Sequence, residues 1–359
     1  MTATVHGPVD VVCLGESMVT FLPTQGGRLA DVPSFVRGIG GAESNVACAL
    51  AAAGHRSRWV GRVGADGFGE HLVAAIAAYG VDTSAVERDP ERPTGVYFRT
   101  AADRATGSHE VLYYRAGSAA SAMSLSTVPE EAVRSGRILH LSGITAALSG
   151  DCLALMRHLT ARRTGRPPVS FDVNHRPGLW RTPSGAGVLL DLARGADIVF
   201  VGEDEAEEAW GLRGAPSIRA ALPEPEVLVV KQGARGATVF ARSASSPVLP
   251  PTPGGRSGIA PDTVTHVPAP RVEVVAAVGA GDAFAAGFLS ATLRGLSVHH
   301  RLRHGHLMAA ANLTVAGDLA TPPSRAHADR LADLDGSAWE TLHLGPGWSA
   351  AADEEVRTA

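Results

Sequence analysis

Several features that mark particular protein classes are scarce or absent in this sequence of 359 residues. Three cysteines lie far apart without a CxxC pair, which argues against a disulfide framework and for a reducing compartment. A formal net charge of −4 gives no basic footprint for nucleic acid or an anionic membrane. No run approaches the ~20 apolar residues of a membrane span, and the first ten residues lack the basic and apolar regions of a signal peptide. We therefore expect a cytoplasmic globular protein that binds neither nucleic acid nor a membrane.

Short apolar runs alternate with longer Ala- and Leu-rich segments along most of the chain. The pattern predicts strands at Val9–Gly15, Arg58–Gly64, Arg137–Leu141, Val169–Val173, Asp197–Val201 and Val227–Lys231, and helices at Gly41–Gly54 and Asp66–Gly80. Near-continuous apolar strands separated by helices are typical of a parallel sheet that is covered on both faces. The sequence therefore predicts an α/β fold.

Three stretches depart from that alternation. The runs Thr94–Thr100 and His109–Arg115 predict a hairpin, which does not join a parallel sheet easily and so would stand over one edge of it. The segment Ala241–Ala269, rich in Ser, Pro and Gly, is predicted to be a loop or an irregular β excursion. The predicted organisation is one domain over residues 1–335 followed by a surface tail over 336–359, and neither the loop nor the tail is expected to be essential to the chemistry.

The segment that best predicts chemistry is a glycine-rich junction, Gly279-Ala280-Gly281-Asp282, which follows the strand-like run Val272–Val275 and opens a predicted helix at Ala283–Leu293. Glycines let backbone amides approach a ligand, and a helix start adds unpaired N–H groups and a positive dipole end. Such a junction can bind an anion, and an aspartate beside it can take a proton from a hydroxyl. Phosphoryl transfer needs little more. The alternative is a plain strand-to-helix turn in which Asp282 only caps the helix.

Two other nucleotide-binding patterns are missing from the sequence. No GxxxxGK[ST] motif occurs, and the single lysine among the 32 basic residues, Lys231, precedes Gln-Gly, which excludes a P-loop. No GxGxxG opens the first helix, which disfavours a dinucleotide-binding fold.

The junction resembles the C-terminal signature of the ribokinase-like (PfkB-type) carbohydrate kinases. The segment Gly38–Ala47 (GIGGAESNVA) resembles the N-terminal signature of that family, and Arg62–Gly69 (RVGADGFG) resembles its VGxDxFG element. The two signatures stand in the right order, and the similarity covers roughly Val9 to Leu334. The resemblance implies a doubly wound, mostly parallel α/β core with a small β lid, formed here by about residues 16–37 and 94–116.

The resemblance also implies roles for residues at matching positions. Asp282 matches the family's catalytic base, and Gly279, Ala280 and Gly281 match its anion hole. Nucleotide-binding positions are Lys231, Gly233, Gly236, Gly281 and Asn312. Glu205 matches a glutamate linked to Mg²⁺ and phosphate, so the implied cofactor is Mg²⁺, with ATP as the phosphoryl donor.

Two departures from the family pattern concern metal and phosphate binding. Gly202 replaces the asparagine that usually accompanies the matching glutamate, and Ala276-Ala277 replaces the usual Asp-Thr before the anion hole. Both departures leave the base and the anion hole intact.

Within the family the chain most resembles 2-keto-3-deoxygluconate kinases, through Thr94–Tyr97 (TGVY), Tyr113–Ala119 (YYRAGSA) and Phe171–Arg176 (FDVNHR). The implied substrate-binding residues are Gly40, Gly41, Asn45, Tyr97, Tyr113, Arg115, Arg176 and Asp282. An acidic sugar needs a cation, and guanidinium offers a planar fork that fits a carboxylate. We expect Arg115 and Arg176 to meet the sugar carboxylate in the cleft, and the terminal C6 hydroxyl to receive the phosphoryl group.

Several of these residues also fit a purely structural role. Tyr97 and Tyr113 also fit an ordinary cross-strand aromatic pair, and Asp66 fits a helix cap instead of a sugar ligand. The histidines at 299, 300, 304 and 306 include an i,i+4 spacing suggestive of metal, but a solvated helix surface is favoured because no cysteines or carboxylates accompany them.

The alternative functions are a fructokinase or other neutral-sugar or nucleoside kinase on the same scaffold, and a sugar-binding or regulatory protein without catalysis. The expected partners are ATP and a small sugar acid. We also expect a homo-oligomer formed through the exposed lid.

Overall fold

The computed structural model describes residues 8–100, 110–180, 185–242 and 262–350. The strands are β1 (Val9–Leu14), β2 (Met18–Pro23), β3 (Phe35–Gly40), β4 (Ser57–Val60), β5 (Arg62–Gly64), β6 (Glu87–Asp89), β7 (Val96–Arg99), β8 (Val111–Tyr114), β9 (Gly136–Ser142), β10 (Val169–Asp172), β11 (Ile198–Gly202), β12 (Val227–Lys231), β13 (Ala237–Ala241), β14 (Thr263–Val267), β15 (Arg271–Val272) and β16 (His343–Leu344). The helices are α1 (Ala42–Ala52), α2 (Gly67–Ala78), α3 (Glu130–Arg134), α4 (Gly143–Ala146), α5 (Gly150–Thr160), α6 (Gly185–Gly195), α7 (Glu203–Trp210), α8 (Ala215–Ala221), α9 (Ala280–Leu293), α10 (Val298–Leu313), α11 (Arg325–Ala332) and α12 (Gly336–Thr341).

The central sheet has eight strands in the order β14-β13-β12-β11-β10-β9-β1-β4. The six strands from β12 to β4 run parallel, whereas β13 and β14 are antiparallel additions at one edge. The α/β fold with a mostly parallel sheet is thus confirmed. Because parallel strands point their carboxyl ends to one edge of the sheet, residues that end β10 and β12 come close together there.

Helices cover both faces of the central sheet. Alternate residues of β1 enter different cores, Val11 and Cys13 one cluster of buried side chains and Val12 and Leu14 another. Since strand side chains alternate between faces, the two clusters lie on opposite sides of the sheet. Helices α1, α9 and α10 contribute to the first cluster, and α5, α6 and α8 contribute to the second.

A second sheet of four strands, here called the lid sheet, has the order β3-β2-β7-β8. Strands β7 and β8 pair antiparallel as the predicted hairpin does, and β2 runs parallel to β7. Residues 101–109, between β7 and β8, lie outside the described part of the chain. The predicted strand Arg58–Gly64 is two strands instead, because β4 joins the central sheet while β5 pairs with β6.

The prediction of a surface tail beyond Gly336 is wrong for residues 336–350. Trp339 and Trp348 are buried in the core on the α1, α9 and α10 side, and β16 pairs in parallel with β15. The guanidinium of Arg303 lies 4.6 Å from the ring centroid of Trp339. Burial of two large aromatic side chains stabilises the packing of this segment against the core.

The histidines of α10 also differ from expectation. His304 and His306 are buried, not on a solvated surface. His304 lies 3.2 Å from the Asp329 carboxylate, and His306 contacts the Val267 carbonyl at 3.1 Å. Burial lowers the pKa of each to about 4. Over the residues that the structure describes, no cluster of histidines, cysteines and carboxylates could hold a metal ion.

Two further segments complete the description. In the stretch Ala241–Ala269, predicted to be a loop or an irregular β excursion, residues 263–267 form the edge strand β14, and residues 243–261 lie outside the described part. No helix in the described ranges has the length and apolar character needed to cross a membrane.

Candidate active site

The glycine-rich junction forms a loop whose last three residues are the first turn of α9. Gly279 precedes the helix with φ +75°, a left-handed conformation that favours glycine. A Cβ at this position would lie 2.5 Å from the Asp318 carbonyl oxygen. The side-chain amide of Asn312 donates to the Val278 carbonyl at 2.6 Å, so α10 holds the loop that precedes the helix. Asn312, predicted near the nucleotide, thus supports the backbone of the predicted anion hole.

Asp282 lies where α1 meets α9. Its carboxylate accepts a hydrogen bond of 2.9 Å from the side-chain amide of Asn45. Burial is the main reason why the pKa of Asp282 is raised to about 7, and the hydrogen bond from Asn45 acts against it. The charge of Asp172 also raises this pKa, whereas the charges of Lys231 and Arg176 lower it. A carboxylate that titrates near neutral pH beside an anion-binding helix start is suited to accept a proton from a hydroxyl.

Lys231 and Asp172 form an ion pair behind the anion hole. They end β12 and β10, and the lysine Nζ lies 3.1 and 2.9 Å from the two Asp172 carboxylate oxygens. The Asp172 side chain is 3% exposed and that of Lys231 18%. A Cβ at Gly281 would lie 3.4 Å from Nζ, so the ammonium group lies against the first turn of α9. We call Asp282, Lys231, Asp172 and this turn the transfer end of the site.

Gly233 and Gly236 belong to the turn between β12 and β13, directly after Lys231. The Gln232 amide donates to the Gly236 carbonyl at 2.8 Å and closes the turn. A Cβ at Gly236 would lie 2.2 Å from the Val267 carbonyl oxygen, whereas nothing lies within 4 Å of such an atom at Gly233. Packing against β14 therefore explains Gly236, and Gly233 faces open space.

Glu205 and Arg176 meet near the transfer end. One oxygen of Glu205 accepts from the Gly202 amide at 2.8 Å and caps α7, and the other lies 3.5 Å from Arg176. Arg176 is 52% exposed. The two arginines expected to meet one carboxylate thus have different partners, because Arg115 forms an ion pair with Glu16.

Glu16 is a buried carboxylate beneath the lid sheet. Its two oxygens accept from Arg115 and, at 2.9 Å, from the Ser118 hydroxyl. The Arg115 Nε is buried and has no hydrogen-bond partner among the described residues. Glu16 therefore balances the charge of Arg115 but leaves one of its buried donors unpaired among the described residues.

Tyr97 and Tyr113 face each other across β7 and β8, with ring centroids 5.5 Å apart. Tyr97 is buried and donates to Asp318 at 2.5 Å, and Arg99 forms an ion pair with the same carboxylate at 2.5 Å. Tyr113 is half-exposed. The buried group of Tyr97, Arg99 and Asp318 joins the lid sheet to the segment that follows α10. With Glu16 and Arg115, it forms what we call the lid end of the site.

The two glycines of the N-terminal signature make room at the lid end. A Cβ at Gly40 would lie 2.1 Å from the Tyr97 hydroxyl, and one at Gly41 would lie 2.4 Å from the Glu16 carbonyl oxygen. Asp66 accepts from the backbone amides of Phe68 and Gly69 at the start of α2, so the structure shows it as a helix cap.

The model of one protein family matches residues 9–325, and that family is described as pfkB family carbohydrate kinase. This chain belongs to the pfkB family. The chain is thus an ATP-dependent carbohydrate kinase.

Individual relatives agree with the family assignment. A 2-dehydro-3-deoxygluconokinase of Bacillus subtilis (strain 168) is 34% identical over 346 residues, which cover 94% of this chain and 99% of the relative. Fructokinase-1 of Oryza sativa subsp. japonica is 31% identical over 284 residues, covering 78% and 81%. The crystal structure of an uncharacterized sugar kinase from Pyrococcus horikoshii in complex with ATP has a TM-score of 0.73 at 25% identity, and covers 92% of this chain and 99% of that one.

Sequence reasoning did not predict three carboxylates of the candidate site, those of Glu16, Asp172 and Asp318. Glu16 follows the end of β1, a position where α/β folds place ligand-binding residues, so that rule offered a signal for it. Asp172 lies in the segment Phe171–Arg176, but the resemblance implied no role for it. Nothing in the sequence around Asp318 indicates that it meets Tyr97 and Arg99, which are more than 200 residues away.

Proposed function

We propose that this pfkB kinase transfers the γ-phosphoryl group of ATP to the terminal C6 hydroxyl of 2-keto-3-deoxygluconate, giving the 6-phosphate. The observation that carries the proposal is the position of Asp282, in the first turn of α9 and with a pKa near 7. The substrate oxygen attacks phosphorus, ADP leaves, and the hydroxyl proton passes to the Asp282 carboxylate.

Asn45 supports a substrate hydroxyl at this place. Its amide nitrogen donates to Asp282, and its buried carbonyl oxygen has no hydrogen-bond partner among the described residues. A substrate hydroxyl beside Asp282 can lose its proton to the carboxylate, and a neighbouring hydroxyl of the same sugar can donate to the Asn45 carbonyl oxygen. Burial of an unsatisfied acceptor costs about 1–3 kcal/mol, which a bound hydroxyl would recover.

Magnesium fits this site as a companion of the ATP phosphates. Mg²⁺ usually binds through one or two carboxylates together with substrate phosphates and water. Glu205 is the nearest candidate, but one of its oxygens caps α7 and the other faces Arg176, so an indirect role through water fits it better than direct ligation. Bound with ATP, the ion would offset charge on the phosphates.

The acidic substrate is supported by the lid end. Arg115 has a free buried donor, and the B. subtilis relative is named as a 2-dehydro-3-deoxygluconokinase. Arg176 lies closer to the phosphates, since it contacts Glu205 and lowers the pKa of Asp282. We therefore assign the substrate carboxylate to Arg115 and the phosphate side to Arg176.

A fructokinase is the second candidate, because the rice relative is a fructokinase and Glu16 already balances the charge of Arg115. A kinase screen with ATP and Mg²⁺ against sugar acids and neutral sugars separates the two. The proposal expects the highest kcat/KM for 2-keto-3-deoxygluconate. A preference for fructose would contradict the substrate and leave the kinase class intact.

We further propose that the enzyme works in the cytoplasm as a homo-oligomer joined through the lid sheet. Leu112 and Tyr114 on the edge strand β8 and Val36 on the other edge strand are exposed. Such edges can pair with a second sheet. Light scattering of the wild type and of Leu112→Asp tests this, and a wild type that stays monomeric would contradict it.

A further inference from the structure

We propose that Asp172 is a positioning residue of the transfer end, which holds the ammonium group of Lys231 beside Gly281 and Asp282. The inference rests on the proposed role of Asp282 as the base. Asp172 itself does not touch the reacting atoms. It acts through Lys231, whose charge would face the phosphoryl group as it passes to the sugar.

The strand order brings the two residues together. β10 and β12 flank β11 in parallel, and Asp172 and Lys231 are the last residues of their strands. Both carboxylate oxygens lie within 3.1 Å of Nζ, so two contacts fix the direction of the long lysine side chain. The fixed ammonium lies next to Gly281, where a single added carbon would already contact it.

A purely structural role does not explain why an ion pair occupies this position. Two buried charges lose hydration, and well-packed apolar residues of similar volume often stabilise a fold as well or better. The pair lies at the carboxyl ends of parallel strands, where ligands of such sheets bind. It also contains the chain's single lysine among 32 basic residues. A compact ammonium fits beside Gly281, whereas the wider guanidinium of arginine would need more room.

The charges around Asp282 come from several elements. Asp172 on β10 raises its pKa, and Lys231 on β12 and Arg176 after β10 lower it, while Asn45 on α1 donates a hydrogen bond. Burial would lower the pKa of Lys231, but Asp172, Glu205 and Asp282 raise it, so the lysine stays charged. Removal of Asp172 should therefore have two opposed effects on the base: it takes away a negative charge, which lowers the pKa of Asp282, and it releases Lys231, which raises that pKa.

The test compares the pH dependence of kcat/KM in Asp172→Asn, Lys231→Met and the double variant, with MgATP and 2-keto-3-deoxygluconate, or fructose if the wild type prefers it. The acid limb of this profile reports ionisation of the free enzyme's base. For Lys231→Met we expect the limb to move to higher pH by roughly one unit. For Asp172→Asn alone we expect a much smaller shift, because loss of the negative charge and release of Lys231 act against each other. With Lys231 already removed, Asp172→Asn should move the limb to lower pH by roughly one unit.

The position of a limb on the pH axis does not depend on how much enzyme is active, so partial misfolding does not mimic the result. If Asp172→Asn moves the limb to lower pH by the same amount with and without Lys231, Asp172 acts on Asp282 only through its own charge, and its role in holding Lys231 is overturned. Asp282→Asn serves as the reference. If that variant keeps near-normal kcat, the proposed base is wrong; if it is inactive while Asp172→Asn has equal effects in the two backgrounds, only the present inference fails.

Discussion

The transfer end and the lid end of the site are built in different ways. At the transfer end, Asp282 and Lys231 belong to α9 and β12, which lie in the core of the fold, and short local motifs contain them. At the lid end, Tyr97 belongs to a separate small sheet and Arg115 directly follows its edge strand, and buried carboxylates from elsewhere in the chain hold both side chains. The proposed chemistry is thus fixed to the central sheet, whereas the proposed substrate recognition depends on contacts between the lid sheet and the core.

This difference separates two kinds of mutational effect. Changes at the transfer end should reduce turnover of every sugar alike, because all substrates share the phosphoryl group. Changes at the lid end should alter the ratio between sugars, because only there do substrates differ in charge. A transfer-end variant that changes the ratio between sugars, or a lid-end variant that reduces turnover of all sugars equally, would contradict this distinction.

The largest effect is expected from Asp282→Asn. The new side chain can still accept the hydrogen bond from Asn45, so the fold should persist, but it cannot take a proton. We expect kcat to fall by at least ~10²–10⁴ for acidic and neutral sugars alike. Steady-state kinetics with both substrates provides the measurement.

The same substitution should not lower stability above pH 7. The raised pKa means that the folded state holds its proton more tightly than the unfolded state, so ionisation of Asp282 destabilises the fold as the pH rises toward 7. Asparagine removes that cost. A well-folded Asn variant with near-normal kcat would exclude Asp282 as the base, and thermal unfolding at pH 8 checks that the variant is folded.

The next effect is on substrate choice and concerns Arg115→Ala. Loss of a cation from a buried carboxylate contact costs on the order of 2–5 kcal/mol, so kcat/KM for the sugar acid should fall roughly 30- to several-thousand-fold. A neutral sugar should lose much less. The ratio of the two kcat/KM values is the quantity to measure, because it is independent of the fraction of folded enzyme.

Arg176→Ala is the matched control, since it removes the same kind of side chain at the transfer end. Its losses should be similar for the two sugars, because Arg176 lies by Glu205 and near Asp282. If Arg176→Ala changes the ratio and Arg115→Ala does not, the carboxylate lies at the other end of the cleft.

The two ends also differ in how far the sequence predicts them. The GAGD junction, the first strands and α1 follow from residues that are neighbours in the chain, so local pattern identifies them. Pairs such as Arg115 with Glu16 and Lys231 with Asp172 join residues 99 and 59 positions apart. A local pattern cannot show which carboxylate balances which cation. For this reason the sequence analysis predicted that Arg115 and Arg176 meet the same substrate carboxylate.

The surroundings of the site show the same limit. Burial of His306 and Trp339 depends on how α10 meets the C-terminal segment, which the polar composition of both did not indicate. Composition describes the average exposure of a segment. It does not identify the one or two side chains that tertiary packing buries.

Two buried histidines beside the transfer end should lose their contribution to stability in acid. His304 and His306 lie on α10, which supports α9, and their pKa of about 4 is below the value of about 6.5 expected in the unfolded chain. The unfolded state therefore binds these protons first, and the stability that the neutral histidines contribute is lost as the pH falls from about 6.5 to about 4. The expected loss is about 3 kcal/mol per histidine, whereas protonation of Asp282 over the same range acts in the opposite direction.

Urea unfolding across that pH range measures the loss, and hydrogen exchange locates it. His306→Gln removes one titrating group, so the fall in unfolding free energy should be smaller in this variant than in the wild type. Peptides of α9 and α10 should gain exchange at pH 5 before peptides of β7 and β8. The same pH dependence in wild type and variant would show that His306 does not contribute.

The smallest expected effect comes from Tyr97→Phe at the lid end. Burial, followed by the nearby Asp318 charge, raises the pKa of Tyr97 above its ordinary value, so the hydroxyl stays protonated and donates to Asp318. Phenylalanine keeps the ring and removes the donor, while Arg99 still balances the carboxylate. The free energy of unfolding should fall by about 1.5–3 kcal/mol, as for a hydrogen bond to a charged group. KM for the sugar should rise, because the contact holds the lid sheet against the core beside Gly40.

Tyr113→Phe is the matched control, since its half-exposed hydroxyl should contribute little to stability. Equal destabilisation by the two substitutions, or an unchanged KM for the sugar with Tyr97→Phe, would show that Tyr97 does not anchor the lid sheet in this way.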